Sequence, residues 1–384
     1  METTDGFAGL RCMDCETTVN ADSHRCPDCG GALEPLYEHR LQGAAFDAGA
    51  GIGRFAALLP FEAGAMTTIG EGSTPTVAAP TLADDFGVET VFVKDEGANT
   101  TGSVVDRGIA LAVTAASQQG ATDVALPTTG NGGQAAAAYA ARAGLDAHCF
   151  VPTRSTFANK AMINVHGGDM NVVGGRYPDA VEAFQDADEE WHSLAPFETP
   201  YRHEGQKTIA YELWADLETV PDAIVHPTGH GTVLLGLYRG FRELHAAGAI
   251  DRLPRLYAAQ PEGCAPVATA HDEGSAEPVP VESPDTISGP LEVPDPAGGR
   301  YALDAIDGSG GGAVTVTDEQ LLEGAVSLAQ AGVPASATGG VAIAGGEQLG
   351  DEAFDGDDSV VVLNPATANR ESDILRSHLM RKGV

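Results

Sequence analysis

Two pairs of cysteines near the N-terminus have the spacing of metal-binding knuckles. Cys12 and Cys15 form the first C-x-x-C pair, Cys26 and Cys29 form the second, and ten residues separate the pairs. Two such pairs supply four thiolates, which is the ligand set of a closed tetrahedral Zn²⁺ site. Disulfides or redox dithiols are the alternative, and the lack of a secretory signal at the N-terminus disfavours them. The pattern therefore predicts a zinc-binding module.

Three polar turns stand where an apolar run passes into a helical pattern. They span residues 99–103, 128–133 and 228–232. Open α/β sheets place ligands at the carboxyl ends of their strands, and backbone N–H groups at a helix start can hold an anion. Glycines such as Gly229 and Gly231 allow the backbone to approach that anion closely. The alternative for each turn is a helix cap with no ligand.

The segments around these turns alternate between strand and helix patterns. Strands are predicted at 91–93, 122–126, 147–151, 169–173, 223–227 and 360–363, with helices at 109–116, 133–142, 157–166, 178–191 and 233–246. Such alternation favours a parallel sheet covered by helices. Residues 262–300 are acidic and proline-rich, which taken alone suggests a linker, and 308–312 is interpreted as a glycine turn.

Length and charge narrow the class of protein. A chain of 384 residues with 43% hydrophobic content can form two cores and a small appended module. Its formal charge of −34 disfavours nucleic acids and anionic membranes as partners. No run has membrane-spanning length, so we expect a soluble, cytoplasmic protein. The few lysines and many carboxylates resemble the composition of salt-adapted, halophilic proteins, and an ordinary acidic protein is the alternative.

Residues 94–108 read K-D-E-G-A-N-T-T-G-S-V-V-D-R-G. They resemble the lysine loop K-D-E-x-x-N-P-T-G-S-F-K-D-R-G of threonine synthases and related fold-type-II pyridoxal phosphate (PLP) enzymes. The runs G-E-G-S-T-P at 70–75 and E-G-Q-K-T-I-A-Y-E at 204–212 extend the resemblance. It covers nearly the whole chain up to Leu363, and its motifs occur in family order.

The resemblance implies an α/β fold of the tryptophan synthase beta-like type, with parallel sheets in two subdomains and an N-terminal zinc-ribbon-like module. The module is expected at 1–38 and the enzyme-like unit at 39–384. Within that unit the large subdomain is expected at 39–104 and 195–384, and the small subdomain at 105–194.

The resemblance also implies roles for individual residues. Val105 occupies the position of the lysine that bonds covalently to PLP, so no catalytic residue is assigned. The implied cofactor-binding residues are Asn131, Gly229, His230, Gly231, Thr232 and Asn364. The implied substrate-binding residues are Ser103, Thr129, Gly130 and Lys207.

The family reaction converts O-phosphohomoserine and water to L-threonine and phosphate, with PLP as cofactor. Because Val105 cannot form an imine or carry a proton, we expect impaired catalysis and non-covalent binding of PLP. One alternative is a non-catalytic paralogue that binds PLP or a phosphorylated amino acid, as a homodimer or as the regulatory partner of an active homologue. Another is a different chemistry that uses His230 or Asp106.

Overall fold

The computed structural model describes residues 1–38, 50–187 and 189–383. The predicted start of the enzyme-like unit at residue 39 lies outside the described residues. The strands are β1 Phe7–Cys12, β2 Thr18–Val19, β3 Leu33–Tyr37, β4 Thr76–Ala78, β5 Thr90–Asp95, β6 Asp123–Pro127, β7 Asp146–Pro152, β8 Asp169–Val173, β9 His192–Ser193, β10 Ala223–Pro227, β11 Arg255–Pro261, β12 Gly312–Val316 and β13 Ser359–Asn364.

The helices alternate with these strands along most of the chain. They are α1 Pro80–Phe86, α2 Val105–Gln118, α3 Asn131–Ala143, α4 Phe157–Val165, α5 Tyr177–Gln185, α6 Pro200–Glu204, α7 Lys207–Leu217, α8 Thr232–Ala246, α9 Pro266–Asp272, α10 Gly299–Ser309, α11 Asp318–Gln330, α12 Ala337–Ala353 and α13 Ser372–Arg381. Among the helices of the described residues, none is long and apolar enough to cross a membrane.

The chain divides into two compact units. Unit 1 takes its described residues from 1–73, 105–211 and 239–249, and unit 2 from 74–104, 212–238 and 250–384. The subdomain boundaries expected from the sequence follow a different partition and stay a prediction.

Unit 1 holds a three-stranded antiparallel sheet, β2-β1-β3, and a four-stranded parallel sheet, β8-β7-β6-β9. Alanine-rich α2 and α3 are buried along most of their length. A Cβ at Gly108 of α2 would lie 2.0 Å from the carbonyl oxygen of Arg202 in α6. Only glycine permits this approach, so the backbones of α2 and α6 pack directly against each other.

Unit 2 is built on a six-stranded sheet of order β12-β11-β10-β13-β5-β4. All neighbours in it are parallel except β4, which pairs antiparallel with β5. The expectation of purely parallel sheets is therefore wrong at this edge. Val360, Val361 and Val362 in β13 are fully buried, as expected for a parallel strand covered on both faces.

Most predicted strands and helices are confirmed within a few residues, and three segments differ. Helix α5 ends at Gln185 instead of 191, because Asp186, Glu189 and Glu190 would place negative charge at the negative end of the helix dipole. The predicted glycine turn at 308–312 is shorter than expected, because α10 extends to Ser309 and β12 starts at Gly312, which leaves Gly310 and Gly311 as the turn. The acidic, proline-rich span contains α9, whose Val267 and Ala268 are buried.

Candidate cofactor site and cysteine cluster

Val105 is the first residue of α2 and is half-buried. The preceding residue, Val104, donates its backbone N–H to the carbonyl of Pro365 at 2.9 Å. Arg107, two residues after Val105, is buried and donates from Nη1 to Thr208 Oγ1 at 2.9 Å. Within unit 1, Arg107 therefore links α2 to α7, while the side chain of Val105 occupies the first position of α2.

The turn after β6 lies at the carboxyl end of a parallel strand in unit 1. The N–H groups of Gly130 and Gly133 donate to Thr128 Oγ1 at 3.0 and 3.1 Å, which fixes the turn at the start of α3. Ser155 Oγ donates to the carbonyl of Thr129 at 2.7 Å. Asn131 Oδ1 accepts from Asn159 Nδ2 at 3.2 Å. The predicted residues Thr129, Gly130 and Asn131 thus form one ordered turn.

The turn after β10 lies in unit 2 and leads into α8. Gly231 has a φ of +85°, a left-handed conformation that favours glycine, and α8 begins at the next residue, Thr232. The ring of His230 accepts at Nδ1 from the N–H of Ala297 at 3.3 Å. Gly229, His230 and Thr232 are partly exposed. The turn therefore presents an accessible helix N-terminus, which suits an anion.

Asn364 ends β13, next to β10 and β5 in the sheet, so it shares the carboxyl edge of unit 2 with the 228–232 turn. It is fully buried, and its Nδ2 donates to Asp95 Oδ1 at 2.8 Å and to the carbonyl of Pro334 at 3.0 Å. Burial raises the pKa of Asp95. Asn364 thereby joins the ends of β13 and β5, and its contact with a cofactor ring stays a prediction.

Ser103 lies at the same edge, because it forms an isolated bridge with Ala366. It is 1% exposed, and its Oγ has no hydrogen-bond partner within the described residues. A buried hydroxyl without a partner costs free energy, so this group is suited to a partner that is not part of the chain.

The four lysines of the chain are Lys94, Lys160, Lys207 and Lys382. Lys94 is fully buried and pairs with Glu212 at 2.9 Å and Asp216 at 3.3 Å. Lys160 donates to the carbonyl of Thr153 at 2.8 Å, and Lys382 pairs with Glu323 at 2.7 Å. All three amines are therefore engaged within their own units.

Lys207 is fully buried in unit 1, where it pairs with Glu204 and, at 3.0 Å, with Glu243. Burial alone would raise the pKa of Glu204, but the positive charges of Arg239 and Lys207 hold it below its usual range. Tyr37 Oη donates to Glu204 at 2.6 Å. This placement favours a role for Lys207 in packing, and its role in substrate binding stays a prediction.

Sequence reasoning missed this buried charge network. Arg239 lies 3.3 Å from Glu34 and 3.0 Å from Glu204, so it joins the strand β3 to helices α6 and α8. Glu34, Glu204 and Arg239 come from distant segments and form no local motif. Two signals were available, the spacing of Glu204 and Lys207 three residues apart and the scarcity of basic residues, 21 in the chain, which makes each of them a candidate for a specific partner.

The four cysteines of the predicted knuckles converge in unit 1. Their sulfurs lie within 4.8 Å of one another, with 3.5 Å between Cys12 and Cys29 and 3.5 Å between Cys15 and Cys26. A tetrahedron of about 2.3 Å zinc–sulfur bonds has edges of about 3.8 Å, close to these separations. The hydroxyl of Thr17 lowers the pKa of Cys15 to about 6. The cluster has the geometry of a four-sulfur metal site.

The comparisons with known proteins agree with this architecture. The family described as "Pyridoxal-phosphate dependent enzyme" matches residues 67–366. Threonine synthase of Methanosarcina acetivorans is 33% identical over 364 residues, which cover 92% of this chain and 89% of that protein. Threonine synthase of Methanocaldococcus jannaschii is 32% identical over 384 residues, covering 94% and 93%.

Solved structures show the same fold at lower identity. An L-serine ammonia-lyase from Rhizomucor miehei has a TM-score of 0.69 and 22% identity, covering 80% of this chain and 98% of that one. Maize serine racemase has a TM-score of 0.67 and 18% identity, covering 80% and 93%. With the family match over most of its length and relatives above 30% identity, this chain belongs to the pyridoxal-phosphate dependent enzyme family.

Proposed function

We propose that this chain is a threonine synthase-like protein that binds PLP, or a phosphorylated amino acid, without bonding to it covalently. The observation that carries the proposal is the placement of its amines. By the resemblance, Val105 occupies the lysine position, and each of the four lysines is held by a carboxylate or a carbonyl of its own unit. Moving Lys94 or Lys207 to a cofactor would remove the amine that pairs with a buried carboxylate, which costs several kcal/mol.

The residues present fit the phosphate of PLP. The turn at 228–232 offers a left-handed Gly231 and the N-terminus of a 15-residue helix. Backbone N–H groups at such a terminus bind phosphate, and the helix dipole adds about 0.3–1 kcal/mol. In the same unit, the buried hydroxyl of Ser103 has no hydrogen-bond partner within the described residues and supports a further contact. The donor set lacks an amine for a covalent bond.

When bound, PLP supplies an electron sink for reactions at the Cα of an amino acid. The side chain of Val105 can neither hold nor move a proton. A positioned proton shuttle is worth roughly 10²–10⁴-fold in rate, so its absence alone is expected to slow turnover by that factor. We therefore propose a binding or regulatory role, as a homodimer or with an active homologue, and keep the cytoplasmic location as a prediction.

We further propose that the cysteine cluster holds one Zn²⁺. Four thiolates at these separations match a structural zinc site, and such a site stabilises a small module that has little core of its own.

The proposal is tested by binding and activity measured on the same protein. We expect PLP and inorganic phosphate to raise the melting temperature, while no L-threonine forms from O-phosphohomoserine. Gly231→Val should reduce the rise, because a Cβ at this position would lie 2.8 Å from the carbonyl oxygen of Gly298 and the left-handed backbone would be strained. Threonine formation at a rate typical of enzymes, or no stabilisation by either ligand, would contradict the proposal.

A further inference from the structure

A cavity of about 500 Å³ lies in unit 2 between the start of α11 and the end of α13. Asp318 and Glu319 line it from the first turn of α11. His378, Arg381 and Lys382 line it from the end of α13. The volume falls within the usual range of small-molecule sites, about 300–1,000 Å³.

Two charged groups of the wall are already engaged within unit 2. Asp318 accepts from Thr286 Oγ1 at 2.8 Å and from the N–H of Ile287 at 3.1 Å. Lys382 pairs with Glu323 of α11 at 2.7 Å. These contacts connect the segment at 286–287 and the end of α13 to α11, so the groups that make them are not counted as partners of a ligand.

Glu319 and Arg381 are the charged groups that remain for a ligand. Both are exposed, and neither has a hydrogen bond or an ion pair within the described residues. They carry one charge of each sign, so the complementary ligand has one carboxylate, one ammonium group and no net charge. A guanidinium group holds a carboxylate in a bidentate geometry, and a carboxylate accepts from an ammonium group. An α-amino acid with an uncharged side chain meets this description.

The imidazole of His378 is a third polar group in the wall. His378 is 4% exposed, and its Nε2 has no hydrogen-bond partner within the described residues. It precedes Arg381 by three residues, a spacing that places both on one face of α13. A buried nitrogen without a partner costs free energy, which a hydrogen bond to a ligand recovers. A hydroxyl group suits this nitrogen in either tautomer, because it can both donate and accept.

Apolar side chains form the rest of the wall. Leu322 is buried and follows Glu319 by three residues, so the two share one face of α11. Ile287 is half-buried and packs against the core of unit 2. Since the cavity is larger than a short aliphatic side chain can fill, an aromatic ring suits this apolar surface better.

We propose that this cavity binds an aromatic α-amino acid that carries a hydroxyl group, as L-tyrosine does. Its carboxylate contacts Arg381 and its ammonium group contacts Glu319. Its ring lies against Leu322 and Ile287, and its hydroxyl group bonds with Nε2 of His378. The inference does not depend on the proposed function, because none of these residues belongs to the turns that suit a phosphate.

The test measures the binding of L-tyrosine to the full chain, purified without added PLP, by equilibrium dialysis at fixed salt. We expect saturable binding, and about tenfold weaker binding of L-phenylalanine, which lacks only the hydroxyl group. Tyramine lacks the carboxylate and 3-(4-hydroxyphenyl)propionate lacks the ammonium group, so each should also bind about tenfold more weakly.

Three variants assign the contacts to residues. Arg381→Ala should weaken L-tyrosine and L-phenylalanine alike, by a factor of about ten. His378→Phe should bring the two affinities within about twofold of each other, because the partner of the hydroxyl group is removed. Arg376→Ala, at an exposed position of α13 outside the cavity, is the matched control and should bind as the parent does.

The inference would be overturned by the absence of saturable L-tyrosine binding, or by equal affinity of the parent for L-tyrosine and L-phenylalanine. It would also be overturned if His378→Phe kept the preference of the parent for L-tyrosine. Loss of binding in Gly231→Val but not in Arg381→Ala would assign the ligand to the turn at 228–232 instead. Failure of the proposed function is a separate outcome, because it is measured with PLP and phosphate.

Discussion

Replacing Lys207 by Met removes the amine at the centre of the buried charge network in unit 1. The amine is fully buried and pairs with Glu204 and Glu243, and it also donates to the carbonyl of Leu58 at 3.2 Å. Glu204 is fully buried as well, so the substitution leaves a buried carboxylate with fewer partners. Breaking a buried ion pair costs about 3–5 kcal/mol. Because Arg239 and Tyr37 still contact Glu204, we expect the lower end, about 3 kcal/mol.

The assay is urea unfolding at fixed salt, with Lys160→Met as the matched control. Lys160 donates to a single exposed carbonyl, that of Thr153, so its loss should change stability by less than about 0.5 kcal/mol. Adding Glu204→Gln to Lys207→Met should recover part of the loss, because it removes the unpaired charge. Equal stability of the Lys207 and Lys160 variants would refute this reasoning. If ligand affinity fell instead, Lys207 would have the substrate-binding role implied by the resemblance.

Protein purified without metal-affinity steps should contain about one zinc per chain, and full zinc content after replacing both C-x-x-C pairs by serine would exclude the cysteine site. Burial lowers the pKa of His226 to about 3 and that of His203 to about 4, so the unfolded state binds more protons below the ordinary value of 6.5. The free energy of unfolding should therefore fall as pH drops from 6.5, by about 1.4 kcal/mol per pH unit for each histidine. The urea midpoint of His226→Gln should fall less steeply with decreasing pH than that of the parent. An unchanged dependence of the midpoint on pH would argue against the buried neutral imidazole. Gly108→Ala should lower the free energy of unfolding by several kcal/mol, because its Cβ would meet the carbonyl of Arg202. Gly53→Ala is the control and should be tolerated, because the nearest atom to its Cβ is 4.0 Å away. Equal stability of the two variants would contradict the close packing of α2 on α6.

Local patterns in the sequence predicted much of the fold. Val360–Leu363 is an apolar run of strand length with no helical period, and it forms the centre of β13. The four cysteines converge as predicted from the spacing of the two C-x-x-C pairs. The turns at 128–131 and 228–232 lie at the carboxyl ends of parallel strands, as the alternation of strand and helix required.

Features that depend on tertiary contacts could not be predicted. β4 is three residues long and pairs antiparallel with β5, and no local signal gives the direction of so short a strand. The sequence did not show that Asn364 Nδ2 donates to Asp95 and Pro334, which are distant in the sequence, while its Oδ1 has no hydrogen-bond partner within the described residues; its contact with the cofactor stays a prediction. Lys207 pairs with Glu204 of its own motif, but its second partner, Glu243, lies in a separate segment, so its burial was not visible in the motif that contains it.

The central claim is that this member of the family has no lysine that bonds covalently to PLP. The most direct measurement is borohydride reduction of the protein equilibrated with one equivalent of PLP, followed by intact mass and peptide mapping. The account predicts no stoichiometric modification of the parent protein and one modified residue, at position 105, in Val105→Lys. A stoichiometric modification of the parent at Lys94, Lys160, Lys207 or Lys382 would contradict it.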